Sequence, residues 1–191
     1  MANHQAIGAV AEAVIRLLER SWHPSLLTGI HPEFEVYHGK DFSAPMATGI
    51  SVFVYQIGAD PVQRTLPPAL PDHKRPLPVR VQLLVTAWAK EASTEHALLG
   101  WAMRAIADNP VLSSGFLNAA TADVFGPDET VDLALGELSN DEIFQLWQVL
   151  PSSLQLSVPY VARVIRIESE LLTTHGPLVI ERDLELGVLV P

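Results

Sequence analysis

The side chains that most often do chemistry are sparse in this sequence and poorly grouped. Seven histidines, His4, His23, His31, His38, His73, His96 and His175, are spread over 191 residues. A zinc site built without cysteine needs histidines and carboxylates at tight spacing, as in HExxH, and no two histidines fall four apart on an expected helix. The chain has no cysteine, which removes thiolate metal sites and disulfides. Glu95-His96 is the one adjacent acid–histidine pair on an expected helix. Helical neighbours point about 100° apart and do not face one another, so the first turn of a helix accounts for this pair.

Other chemistries leave no mark either. A GxSxG elbow, which would strain a serine into a nucleophilic position, is absent. Neither a Walker-type loop nor GxGxxG is present to bring backbone N–H groups onto a phosphate. Nothing singles out two of the 22 acidic residues as a glycosidase pair. Catalytic triads are recognised by geometry and can hide in a sequence, so a small hydrolase with an unmarked site stays as an alternative. No catalytic, cofactor-binding or metal-ligating residue is assigned, and no cofactor is expected.

The elements that would position any site are easier to read. Ile7, Val10, Ala11, Val14, Leu17 and Leu18 make an apolar stripe at helical spacing, with Asn3 as N-cap and an end near Ser21, before Pro24. Phe34, Val36 and His38 alternate with Glu33, Glu35 and Tyr37, the pattern of a half-buried strand. Ile50–Ile57 is apolar on both faces and reads as a central strand. Six prolines interrupt residues 58–78, a segment that also carries Arg64, His73, Lys74 and Arg75. It reads equally as an arm reaching a neighbour and as a surface loop.

Val79, Val81, Leu83, Val85 and Ala87 then form one apolar face of a long strand. Ser93 caps the next expected helix, whose buried stripe is Leu98, Leu99, Ala102, Met103 and Ile106, and Asn109-Pro110 stops it. A strand at Val131–Leu135 follows. Ser139 and Glu142 have capping-box spacing, flanked by a Leu138–Ile143 staple, and open a helix that points Ile143, Leu146 and Trp147 inward. Val158–Ile167 is another doubly apolar strand, interrupted by Arg163 and Arg166. Leu184, Leu186, Val188 and Val190 alternate as a last strand. Helices and strands are interspersed without strict βαβα alternation. The expected fold is therefore α/β (α+β), a single domain over 1–191 with helices packed on a mixed sheet.

Trp88 and Trp101 lie opposite the apolar faces of their elements, which fits either an interface or a sheet covered on both sides. Charged residues make up 18% of the chain, fewer than is usual, which fits either a well-filled core or a surface covered by partners. The net charge is −10, and no Lys or Arg occurs between Arg104 and Arg163. With no basic run, nucleic-acid binding is not expected. The N-terminus lacks a signal peptide, and the long uncharged stretch Phe42–Ala59 contains Pro45 and Gly49. A soluble chain made in the cytoplasm, without a membrane partner, is expected.

Two segments carry a resemblance. RPLPVRVQLLVTAWAKEASTEHALLGWAMRAIADNPVL (Arg75–Leu112) and LSNDEIFQLWQVLPSSLQLSVPYVARVIRIES (Leu138–Ser169) resemble the cap, or tail-terminator, family of extracellular contractile injection systems. The opening helix and the closing ERDLELGV look like that family too. The resemblance implies a small domain like that of phage tail terminators. It also implies a sixfold ring of identical copies seated on the last layer of the inner tube and holding the final sheath ring. Its partners would be itself, the inner tube protein and the sheath protein, with no cofactor and no reaction. Such a chain assembles in the cytoplasm and leaves as part of the particle. An adaptor of the baseplate or cargo is the other non-enzymatic alternative. Arg64 and Arg75, in the proline-rich segment, and Arg163 and Arg166, on an interior-looking strand, are the expected subunit-interface residues.

Overall fold

The computed structural model describes residues 1–60 and 76–171. Its elements run α1 (Ala6–Ser21), β1 (Glu33–Tyr37), β2 (Gly49–Ala59), β3 (Leu77–Trp88), α2 (Ala92–Asp108), β4 (Val111–Ser113), α3 (Ser114–Leu117), β5 (Thr130–Leu135), α4 (Asn140–Val149) and β6 (Ser157–Ile167). The six strands form one mixed sheet in the order β1-β2-β3-β6-β5-β4. Only the β1–β2 pair is parallel. The α/β expectation with a mixed sheet holds. The alternating strand at Leu184–Val190 lies outside the described residues.

Alternation along β3 divides the molecule into two layers. Val79, Val81, Leu83, Val85 and Ala87 point to the first face, where they pack under α1 and α2 with Val10, Val14, Leu18, Leu98, Ala102 and Ile106. Fully buried aliphatics such as Leu18 and Leu83 each contribute roughly 1.5–3 kcal/mol relative to exposure. The second face carries a separate cluster of Tyr37, Phe42, Leu84, Trp88, Trp147 and Leu150. The sheet is therefore covered on both sides. That accounts for Trp88, which is buried and donates its indole N–H to Ser51 Oγ at 2.8 Å. Trp101 is half-buried and meets Trp22 edge-on, with ring centroids 4.9 Å apart.

Local signals set most boundaries. The Asn3 side chain accepts the Gln5 N–H at 2.8 Å, just ahead of α1, whose N-cap is Gln5. Ser93 is not the cap of α2: the N-cap is Glu91, two residues earlier, and Ser93 lies inside the helix. The capping box of α4 is complete, with the Ser139 hydroxyl and the Glu142 carboxylate each serving the other's backbone N–H. The proline-rich segment is shorter at both ends than its prolines imply. Gly58 and Ala59 pair with Arg80 and Val79, and Pro78 pairs with Arg166.

Gly49 opens β2 where the parallel partner comes closest. A Cβ there would overlap the Glu33 carbonyl oxygen, so this position requires glycine. The crossover from β1 to β2 passes over the second face and inserts Phe42, which is 1% exposed. Tyr37, expected on the polar side of β1, is buried beneath that crossover, and its hydroxyl accepts the Met46 N–H at 2.7 Å. Val36, expected on the apolar side, is 40% exposed because β1 is an edge strand.

Candidate interaction surfaces

Among the described residues the second face is covered only in part. Trp147 anchors α4 over Phe42 and Trp88, with ring centroids at 5.6 and 6.4 Å. Beyond that aromatic patch, toward the start of β3, the face becomes polar. A groove of about 540 Å3 opens there, lined among others by Gln56, Arg80, Gln82, Glu137, Glu142 and Arg163. Tyr55 donates its hydroxyl to Gln82 Oε1 at 2.9 Å, and the Gln82 amide donates to Gln56 Oε1. Burial raises the Tyr55 pKa and the Glu142 charge adds to this, while Arg80 pulls it down, so Arg80 and Glu142 both act on the Tyr55 hydroxyl.

Two irregularities shape this groove. On β2, Val54 pairs with Leu83 and Gln56 with Gln82, so Tyr55 is an extra residue. On β6, Ala162 pairs with Val81 and Ile165 with Val79, so Arg163 and Val164 together face Arg80. Val164 adopts φ 69°, a left-handed conformation that a β-branched side chain rarely takes. Such a bulge resets the alternation of its strand. Tyr160 and Ala162 belong to the first-face core before it, and Ile165 rejoins that core after it. The same reset turns both Arg163 and Arg166 to the second face.

The bulge bears on the burial expected for Arg163 and Arg166. The strand β6 is interior to the sheet, between β3 and β5, but Arg163 and Arg166 on it are exposed. Both arginines reach solvent because the bulge turns them to the half of the second face that α4 leaves open among the described residues. Arg64 and Arg75 lie outside the described residues. Sequence reasoning missed Arg80, which reads simply as the polar side of β3. Its Nε atom is buried with no hydrogen-bond partner among the described residues. The Glu95–His96 pair sits in the first turn of α2, with His96 exposed. Among the described residues no three His, Asp or Glu side chains gather as metal ligands, and no helix is long and apolar enough to cross a membrane.

Apolar surface is also exposed. Between α2 and β5–β6 lies a groove of about 570 Å3 lined by Met103, Ile106, Leu133, Leu135 and Tyr160, with Leu135 58% exposed. Around the end of α4, Phe144, Val149, Leu154 and Leu156 stand in solvent, and Phe144 and Leu154 share one depression. Exposed apolar area of this kind marks contact surfaces more often than catalytic ones. The sheet also ends in two unequal edges, β1 with five residues and β4 with three.

A family model described as the Pvc16 N-terminal domain matches residues 9–181, most of the chain. The chain belongs to the Pvc16 N-terminal domain family. Two solved structures share its fold. One is the sheath/tube terminator of PVC, an extracellular contractile injection system, in the extended state. Its TM-score is 0.59 at 15% identity, over 95% of this chain and 65% of that one. The other is the tube-terminating cap of the anti-feeding prophage, with a TM-score of 0.54 at 17% identity, over 94% of this chain and 60% of that one. The resemblance seen in Arg75–Leu112 and Leu138–Ser169 thus leads to the family of those terminators. The chain spans less than two thirds of the length of both structures. No curated protein matches it by sequence. At these identities the Pvc16 N-terminal domain family shares a fold, and residue roles have to come from this chain's own geometry.

Proposed function

We propose that this chain is a structural cap that ends the inner tube and sheath of a contractile injection particle. The observation that carries the reading is the family match over residues 9–181, supported by a fold shared with two terminators along nearly the whole chain. The work is mechanical. Copies close head-to-tail into a sixfold ring, the ring sits on the last tube layer and holds the last sheath ring, and polymerisation stops there. No reaction and no cofactor are needed. The chain assembles in the cytoplasm and then stays with the particle.

Arg64, Arg75, Arg163 and Arg166 are its subunit-interface residues in this reading, joined by Arg80. Exposed apolar area beside α2 and at the end of α4 supports contacts with the tube and sheath proteins, since such patches are covered in assemblies. The test is gold labelling of a tagged copy on purified particles. Label at one end only, opposite the baseplate, is the expected result. Label at the baseplate or in the tube lumen would favour an adaptor of the baseplate or cargo instead.

A further inference from the structure

We infer that the polar half of the second sheet face, which no described residue covers, is a socket for carboxylates of an adjacent copy of this chain, with Arg80 at its centre. The inference rests on the ring reading above and gives its interface a chemistry.

Three observations converge on this groove. The β6 bulge brings Arg163 and Arg166 to the face that carries Arg80, and it does so with Val164 in a conformation that β-branched residues avoid. A regular strand would send two residues three apart to opposite faces. The Arg80 Nε–H is buried and has no acceptor among the described residues, although buried donors are nearly always satisfied. Neither Arg80 nor Arg163 makes an ion pair among the described residues.

The chemistry of the lining selects the ligand. A guanidinium fork matches a planar carboxylate, which takes two parallel N–H bonds. Glu137 and Glu142 line the groove beside Arg80 and Arg163, and their charge disfavours an extended polyanion such as a nucleic-acid backbone. The chain itself is the acid-rich partner. It carries 22 acids against 12 basic residues, and residues 105–162 hold eight of the acids and no Lys or Arg. Within that stretch Asp123, Asp128, Asp132 and Asp141 are exposed. Copies with a net charge of −10 repel one another unless arginines on one meet acids on the next.

The test uses the full chain expressed with its particle genes and carrying a photo-crosslinking benzoylphenylalanine in place of Glu137. Irradiation is expected to give a covalent dimer whose second peptide comes from residues 105–162. Arg80→Glu should lower the dimer yield roughly tenfold or more, as loss of a charge-assisted contact warrants, and Arg80→Lys should lower it less. Arg163→Glu, at an exposed position that tolerates charge, should lower the yield as well and guards against misfolding of the Arg80 variants. The inference is overturned by an adduct only to the tube or sheath protein, by no adduct, or by a dimer indifferent to both reversals. Particle and soluble fractions are analysed separately. Absence of the chain from particles refutes the cap reading, and the dimer, in whichever fraction holds the chain, decides the socket.

Discussion

Phe42 meets the indole of Trp147 edge-on, with ring centroids 5.6 Å apart and planes at 81°. The first residue lies in the crossover between β1 and β2, and the second lies on α4. Phe42 also touches Tyr37, Phe53 and Trp88, at 5.4, 5.2 and 6.0 Å between centroids. One ring thus joins the crossover, the sheet and the helix that covers the second face.

Phe42→Ala should cost about 3–5 kcal/mol of stability, the usual range for emptying a buried phenylalanine site. Urea denaturation followed by tryptophan fluorescence measures it, since Trp88 and Trp147 both report on this cluster. A loss under about 1 kcal/mol would mean that the crossover does not support α4.

Gly49→Ala should unfold the β1 edge or the whole chain, because the added carbon meets backbone, which cannot rotate away. Soluble yield and thermal melting read this directly. Gly8→Ala is the control: a Cβ there has nothing within 4 Å, and alanine favours a helix.

Val164→Gly should leave stability unchanged or raise it, against the ordinary penalty for glycine in a strand. The left-handed backbone at Val164 is the reason, and the side chain is 37% exposed, so little packing is lost. A drop of more than about 1 kcal/mol in chemical denaturation would show that the strain is not there.

The cap of α4 makes stability depend on pH. The Glu142 carboxylate accepts the Ser139 N–H and hydroxyl, both at 2.8 Å, which holds its pKa below the ordinary 4.5; burial opposes this weakly. A lowered folded value means that the contribution is fully present above about 4.5 and is lost as pH falls through the folded value. Glu142→Gln keeps a neutral acceptor. The difference in melting temperature between it and the native chain should therefore shrink between neutral pH and about pH 3. Ser139→Ala removes the other half of the box and should cost about 1 kcal/mol.

Much of this fold was legible where a pattern repeats. Alternation along β3 gave both faces correctly, and the Ser139–Glu142 spacing located the start of α4. Short or irregular features were not legible. β4 and α3, with three and four residues, are too brief for any period to show. Tyr37 looked solvent-facing because nothing local announces that Phe42 will fold back over it. That Arg163 and Arg166 share one exposed face was not legible because a bulge is invisible until β6 is paired with β3, and Arg80 gained its meaning only from what faces it across that pair.

Arg75→Glu should abolish ring assembly and leave the monomer folded. Circular dichroism melting reports the fold, and particle co-purification reports assembly. An Arg75→Glu chain that still joins particles normally would remove the proline-rich segment from the interface.

The central claim is that this chain stops polymerisation. Its most direct test is the length distribution of tubes and sheaths in electron micrographs, from cells with the gene, without it, and with it restored. Uncontrolled lengths on loss, corrected by the restored copy, are the predicted result. Particles of unchanged length and stability without the gene would contradict it.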